Sequence, residues 1–182
     1  TASATIAKSR LGAALKGVVV GPSPAGARSI STPLVMSWRS SGAVTLTAGG
    51  GTSTLTLSNP VSSGSGAVSL SGVDGVTLSG ATGDVTTTGT YTVNADSDGN
   101  GTGTYSQNDA GSAVSSGAVQ ITAADVALTG TIDSGAANVT LLTSTAGATI
   151  GLADATKNLN LTDAELDLVS STDTITIGSA AN

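Results

Sequence analysis

The chain has 182 residues and a formal net charge of −6, and it contains neither histidine nor cysteine. The absence of imidazole and thiol groups excludes catalytic triads that use histidine and zinc sites built on these two ligands. The acidic balance argues against nucleic acid as the main partner, because phosphates would be repelled. No apolar run reaches the roughly 18 residues of a membrane-spanning helix, so we expect no membrane span.

Small residues dominate the composition, with 29 Thr, 26 Ser and 25 Gly. Aliphatic residues are scarce enough to approach the level of disordered chains, but they recur at every second position, which disordered tracts have no reason to maintain. We therefore expect an ordered domain. Its core should consist of thin aliphatic layers without large aromatic side chains.

Residues 1–40 differ from the rest of the chain in charge. They hold five basic residues and no acidic one, whereas the remainder holds all twelve acidic residues and a single base, Lys157. The segment "GPSPAGARSISTP" also contains three of the four prolines and reads as an extended linker. We predict a basic, proline-containing leader or cap at 1–40 and a repeat domain at 41–182. The alternative for the first segment is a basic helix for targeting or for a membrane surface.

From residue 41 onward the chain consists of short apolar–polar–apolar segments separated by Gly, Asn and Asp. Each such segment predicts a half-buried β-strand with two side chains inward and one outward. These segments are VTL (44–46), LTL (55–57), VSL (68–70), VTL (76–78), YTV (91–93), VQI (119–121), VAL (126–128), VTL (139–141), LNL (159–161) and ITI (175–177).

The segments recur together with their surroundings. "SGAVTLTAGG", "SGAVSLSGVDGVTLSG" and "SGAVQITAADVALTG" align at Val44, Val68 and Val119, and "GAANVTLLTSTAG" follows the same pattern at Val139. A unit of about 20 to 25 residues is typical of a solenoid coil. A β-sandwich is the alternative, but its core usually needs more aromatic residues than this chain offers. The sequence therefore favours an all-β solenoid.

One segment interrupts the strand pattern. In "LTDAELDLV", Thr162 and Glu165 have the spacing of a capping box, and Asp163 adds negative charge to the first turn of a helix. We predict a short helical insertion near 162–169. Leu161, Leu166 and Val169 should pack inward.

The run from "SGAVQITAADVALTGTIDSG" to "LNLTDAELDLVSSTDTITIG" resembles the repeat region of large secreted exoproteins of the filamentous-haemagglutinin type. The likeness covers about residues 41–178 and is specific in the last 60. It implies a right-handed parallel β-helix, export by bacteria and a role in adhesion, biofilm or surface contact. The family's N-terminal secretion domain has no equivalent here, so we expect an internal piece of a longer fibre or a small stand-alone relative.

Candidate binding residues are few. Asp96, Asp98, Asn100 and Gly101 match the start of a calcium loop, but its twelfth position is Gln107 instead of the usual glutamate, so we expect weak calcium binding at most. The other turn carboxylates read as solvated turn residues; they include Asp74, Asp84, Asp125 and Asp133. The segments "TSTLTLS", "VTTTGTYTV" and "TDTITIG" raise a further hypothesis, a threonine ladder of the kind found in ice-binding solenoids.

We therefore expect a structural or adhesive segment of a secreted or cell-surface protein, with no enzymatic activity, catalytic residue, cofactor or bound metal. Its expected partners are copies of itself, end to end or laterally, and host-surface or matrix glycans. The strand at Ile175 and Ile177 has only Asp173 as a nearby charge, so we expect it to continue into another domain or to stack on another copy. The alternatives are a carbohydrate-binding or carbohydrate-cleaving β-helix and an ice-binding solenoid.

Overall fold

The computed structural model describes residues 38–40 and 42–178, so most of the predicted leader or cap lies outside the described residues. Within these ranges the chain forms short strands and one helical turn. In chain order they are β1 (Trp38–Arg39), β2 (Val44–Ala48), β3 (Thr54–Leu57), β4 (Val61–Gly64), β5 (Val68–Gly72), β6 (Gly75–Leu78), β7 (Val85–Thr87), β8 (Tyr91–Asn94), β9 (Thr104–Gln107), β10 (Ala113–Ser115), β11 (Val119–Ala123), β12 (Asp125–Leu128), β13 (Thr131–Asp133), β14 (Val139–Thr143), β15 (Ile150–Leu152), β16 (Leu159–Leu161), α1 (Asp163–Leu166), β17 (Val169–Ser170) and β18 (Ile175–Ile177).

The strands stack into three faces, and one strand from each face makes one rung. Face 1 has the order β1-β4-β7-β10-β13-β17, face 2 has β2-β5-β8-β11-β14-β18, and face 3 begins with β3-β6-β9-β12. Every described strand pair is parallel. This confirms the parallel β-helix, and it excludes the alternative of a β-sandwich, whose sheets are antiparallel.

All the predicted strand segments lie within strands, on faces 2 and 3. Apart from a register shift in β4 between Ser62 and Gly64, the strands pair in register, so equivalent residues of successive rungs lie directly above one another. On face 2, for example, Val44 pairs with Val68, Val68 with Tyr91 and Tyr91 with Val119. The recurrence of aliphatic residues along the chain therefore becomes continuous aliphatic columns in the core.

Sequence analysis missed β9 and β15 on face 3 and the strands of face 1. From β4 onward, each face 1 strand carries a single buried aliphatic side chain. The strands from β4 to β17 supply Val61, Val85, Val114, Ile132 and Val169, respectively. Period-two alternation cannot be recognised from one apolar residue. These strands form because their backbones pair with the rungs on either side.

The expectation of a core without large aromatic side chains is wrong. Tyr91 and Tyr105 are both fully buried, and their hydroxyl oxygens lie 3.3 Å apart, within hydrogen-bonding distance. The two rings come from faces 2 and 3 of the same rung and meet inside it. A buried hydroxyl needs a polar partner, and here each tyrosine supplies that partner for the other.

The predicted helical insertion is present as α1. Thr162 is its N-cap, and both hydrogen bonds of the capping box with Glu165 are formed. Leu161 is fully buried, Val169 is buried, and Leu166 packs partly buried against the core. The insertion near 162–169 is therefore confirmed, with the helix itself limited to one turn.

On face 3, the last two strands lie in an order that differs from their order in the sequence. Strand β16 packs beside β12, and β15 pairs with the other edge of β16, although β15 comes first in sequence. Gly178, which follows β18 on face 2, lies against Ile150 of β15. The contact is close, since a Cβ atom added at Gly178 would be only 2.7 Å from Ile150 Cδ1. Strands β15, β17 and β18 therefore form the last rung that the structure describes, one strand on each face.

The tyrosine pair generates a prediction about alkaline stability. Burial raises the pKa of Tyr91 and of Tyr105 well above the usual value, and for Tyr91 the neighbouring Tyr105 adds to the effect. Above about pH 10 the unfolded chain loses these protons while the native state keeps them, so stability should fall by up to about 1.4 kcal/mol per pH unit for each ring. The chain has no other tyrosine, and both of these are buried. Absorbance at the tyrosinate band should therefore rise only when the protein unfolds.

The control is Tyr105→Phe, which should halve the absorbance step and leave it coincident with unfolding followed by circular dichroism. Tyrosinate absorbance that appears while the circular dichroism remains native would contradict the burial of these hydroxyls.

Candidate functional site

The outward side chains of face 2 form two columns of mostly hydroxyl groups. Face 2 carries the longest strands, such as the five-residue β2, β5, β11 and β14. The first column is Thr45, Ser69, Thr92, Gln120, Thr140 and Thr176, and the second is Thr47, Ser71, Asn94, Thr122 and Leu142. No charged residue stands in either column, although the chain as a whole is acidic.

The parallel ladder sets the spacing of these groups. Neighbouring strands lie about 4.8 Å apart, and outward residues of one strand are about 6.6 Å apart. Face 2 therefore presents hydroxyl and amide groups at regular intervals over six rungs. Such an array can form many weak hydrogen bonds at once with a partner that repeats its own polar groups.

The threonine-rich segments singled out in the sequence do not share one face. They are distributed over all three: Thr54 and Thr56 lie on face 3, Thr86 and Thr87 on face 1, and Thr92 and Thr176 on face 2. Thr87 is buried and points inward. The hydroxyl array of face 2 is therefore made mainly by residues from other segments.

A column of inward hydroxyl groups follows the corner between faces 1 and 2, and sequence analysis missed it. Thr87 Oγ1 donates to the carbonyl oxygens of Gly64 and Gly66 at 3.1 and 2.6 Å. Equivalent hydroxyls in other rungs also bond to backbone groups near this corner; they belong to Ser40, Ser63, Ser116, Ser134 and Ser171. The available signal was a Ser or Thr one or two positions before a Gly, which recurs at every one of these corners except that of Ser171. These hydroxyls satisfy backbone groups where the ladder turns.

The calcium-loop candidate lies between β8 and β9, and its first carboxylate already serves the fold. Asp96 is only 2% exposed, and it accepts hydrogen bonds from the backbone N–H groups of Asn100, at 3.2 Å, and Gly101, at 2.8 Å. It also accepts a hydrogen bond from the Ser144 hydroxyl. Ser144 follows β14, two rungs away, so this bond spans the rung between them.

The remaining positions of the calcium motif do not converge on a cation site. Asp98 is exposed and accepts a hydrogen bond from the Asn100 side chain at 2.8 Å. Gln107, at the twelfth position, is buried in the core, and its Nε2 lies 3.4 Å from the Thr131 carbonyl oxygen. Across the described ranges, no three residues among His, Cys, Asp and Glu come together in a group that could hold a metal ion.

The four other carboxylates named above are separate from one another. Asp74 and Asp84 lie between strands as expected, but Asp125 begins β12 and Asp133 ends β13, so these two are strand residues and not turn residues. The Asp74 carboxylate accepts from the Thr102 hydroxyl at 3.0 Å, and that of Asp133 from the backbone N–H of Gly135 at 2.8 Å. Asp84 and Asp125 each accept a backbone N–H from a later part of the chain, at residues 113 and 160. These carboxylates connect turns and strands of the solenoid, and the structure does not bring them together at one site.

Glu165 has a role beyond the capping box that sequence analysis missed. Its Oε2 accepts from the backbone N–H and the hydroxyl of Thr162 at 2.9 and 2.8 Å, while Oε1 accepts from the backbone N–H of Leu128 at 3.0 Å. One carboxylate therefore caps α1 and satisfies a donor of β12. Sequence spacing indicates the first role, but only the fold brings Leu128 within reach.

Comparison of the chain with family models finds no match. Comparisons with curated proteins and with solved structures find none either. In the part of the chain that the structure describes, no helix is long and apolar enough to cross a lipid bilayer. The arguments for function therefore come from the residues and their arrangement.

The geometry of Asp96 predicts that Asp96→Asn destabilises the fold by about 1–2 kcal/mol, because an amide cannot accept all the hydrogen bonds that the carboxylate receives. The matched control is Asp98→Asn in the same exposed loop, which should change the free energy of unfolding by less than about 0.5 kcal/mol. Chemical denaturation at pH 7 measures both variants. Equal effects of the two substitutions would contradict the role assigned to Asp96.

The same residue predicts how acid affects the wild type. Burial raises the pKa of Asp96, but the hydrogen bonds from Ser144 and the Gly101 backbone outweigh it, so the net pKa is lowered. The stabilisation that the ionised Asp96 carboxylate supplies is present above the pKa of the unfolded chain, about 4, and is lost as the pH falls through the lower pKa of the native state. Wild type should therefore lose stability below about pH 4 more steeply than Asp96→Asn.

Proposed function

We propose that this chain is a structural and adhesive segment of a secreted or cell-surface β-solenoid, self-associating or built into a longer fibre. The observation that carries the proposal is the uncharged hydroxyl array of face 2, which extends over six rungs. An array of this kind suits repeated weak contacts along a surface. The role includes adhesion, biofilm or matrix contact.

The resemblance of residues 41–178 to repeats of filamentous-haemagglutinin type supports this proposal. Proteins of that type are exported by bacteria, and the parallel β-helix of this chain agrees with the fold that the resemblance implies. One of the segments that carry the resemblance is "LNLTDAELDLV", where Thr162 and Glu165 form the capping box and Glu165 also accepts a hydrogen bond from β12. The residues that carry the likeness therefore have defined structural roles in this chain.

Adhesion through face 2 would rest on multivalency. A single hydroxyl contributes little net free energy to binding, because it exchanges a hydrogen bond with water for one with the partner. Regular columns let many such contacts form together, so the combined affinity can exceed that of one contact by orders of magnitude. An uncharged polyhydroxylated partner, such as a neutral polysaccharide, matches a face without charge on an acidic protein.

The test has a cellular part and a binding part. On intact source cells, added protease should remove the protein, because an exported segment is accessible from outside.

In vitro, the 182-residue chain should bind immobilised dextran, mannan or galactan. The double variant Thr92→Asp/Thr140→Asp should weaken this binding by about tenfold, because it puts two charges within the array.

The matched control is Thr56→Asp/Thr77→Asp, which places the same charges at outward positions on face 3. It should bind like the wild type. Equal loss in both variants, or full protection of the protein inside intact cells, would contradict the proposal. Release of reducing ends from a polysaccharide would favour the alternative of a carbohydrate-cleaving β-helix.

An ice-binding solenoid is the second candidate, and the same two columns of face 2 favour it. Their spacing of about 4.8 by 6.6 Å is regular because the ladder is regular. Gln120, Asn94 and Leu142 interrupt the hydroxyl pattern, so the array is less uniform than an ice surface. Thermal hysteresis at micromolar protein that Thr92→Asp/Thr140→Asp abolishes would establish this activity, and its absence would exclude it.

A further inference from the structure

The loop between β8 and β9 contains a pair of residues that can react with water. Asn100 is followed by Gly101, and none of the other seven asparagines of the chain precedes a glycine. In such a pair the backbone nitrogen of the glycine can attack the side-chain amide carbon of the asparagine, because glycine has no side chain to hinder the approach. Both residues are exposed to solvent. The loop therefore carries the residues for deamidation.

The reaction has two steps, and water is its only co-reactant. The Gly101 backbone nitrogen loses its proton and forms a bond to Asn100 Cγ, while the bond from Cγ to Nδ2 breaks and ammonia leaves with that proton. Water then opens the resulting succinimide ring at one of its two carbonyl carbons. The products are aspartate or isoaspartate at position 100, and each carries one negative charge that asparagine lacks.

The first obstacle to this reaction is the hydrogen bond made by the attacking nitrogen. The Gly101 backbone N–H donates to Asp96 Oδ2 at 2.8 Å, and Asp96 is only 2% exposed. The nitrogen must give up this proton in order to react, and the carboxylate disfavours a negative charge beside it. Asp96 therefore keeps the attacking nitrogen protonated while the loop is folded.

The second obstacle is the orientation of the amide that would be attacked. Asn100 Oδ1 accepts from the backbone N–H of Thr102 at 2.9 Å, and Nδ2 donates to Asp98 Oδ2 at 2.8 Å. Attack requires Asn100 Cγ to come within about 3–3.5 Å of the Gly101 nitrogen along the direction of the new bond. The amide would have to leave the partners that now hold both of its polar atoms.

The loop is also held by other rungs of the solenoid. The Ser144 hydroxyl, which lies two rungs away, donates to the Asp96 carboxylate. The Thr102 hydroxyl donates to Asp74 of the preceding rung at 3.0 Å. Opening of the loop therefore breaks contacts on both sides, which makes the open state rare.

We propose that Asn100 is a site of deamidation and that Asp96 suppresses the reaction while the loop is folded. Reaction takes place when the Gly101 N–H leaves the carboxylate and the Asn100 amide turns towards it. The product places a new carboxylate where Asn100 Nδ2 now donates to Asp98, so like charges repel and the loop does not close as before. Deamidation therefore converts a transient opening of the loop into a permanent change.

Peptide-mapping mass spectrometry of the 182-residue chain tests the proposal. The folded wild type and the same chain in guanidinium chloride are incubated at mildly alkaline pH, and the deamidated fraction at Asn100 is followed with time. The denatured chain should react at least about tenfold faster, because the folded chain reacts only during the fraction of time in which the loop is open.

Asp96→Ala removes the carboxylate that holds the Gly101 N–H, so Asn100 of the folded variant should deamidate about tenfold faster than in the wild type. The matched control is Asp98→Ala, which removes the same charge from the same loop and leaves the bond between Asp96 and Gly101. Its rate should change by less than about threefold, because the hydrogen bonds of Asp98 are exposed to water. Circular dichroism checks that each variant is folded, and Asp96→Asn replaces Asp96→Ala if it is not.

Three results would overturn the proposal. They are equal rates in the folded and denatured wild type, a folded Asp96 variant that reacts as slowly as the wild type, and equal acceleration by the Asp96 and Asp98 substitutions. The reaction does not involve face 2, so none of these results bears on polysaccharide binding or on exposure at the cell surface.

Discussion

In-register parallel pairing between successive rungs is the constraint on which this structure depends. Each residue of a strand lies directly above its equivalent in the preceding rung, so the side chains of one column must be compatible with one another. The column of Val44, Val68, Tyr91, Val119 and Val139 shows the result, because all five side chains are buried in the core. Extra residues enter at the corners, as in the loop between β8 and β9, and once within a strand, where the pairing of β4 with β7 shifts register between Ser62 and Gly64.

The same constraint creates the need for buried polar side chains. Where the chain leaves one face for the next, backbone groups lose their ladder partners and need others. Inward hydroxyls such as that of Thr87 supply them at one corner. The carboxylate of Asp96 does so after β8 on face 2, and that of Glu165 does so at the end of β12 on face 3. Acidic residues that look like ordinary turn residues in the sequence therefore connect separate rungs.

Polar and apolar surfaces are separated by the geometry of the stack. Hydroxyl and amide groups cover the outer side of face 2, whereas aliphatic side chains form the columns of the core. The outer side of face 2 therefore offers hydrogen-bonding groups, while the inner side is closed by apolar packing. Both surfaces follow from one repeat, since outward and inward positions alternate along every strand.

The sequence by itself determined the strands of face 2, those of face 3 except β9 and β15, the solenoid and the capping box of α1. Those features depend on local alternation and spacing, which are legible along the chain. The tertiary structure alone decided the rest. Face 1 strands such as Val85–Thr87 exist through pairing, Tyr91 and Tyr105 meet only inside a rung, and β15 takes its place beyond β16. Each of these features depends on contacts between residues distant in sequence, and a local pattern carries no record of such contacts.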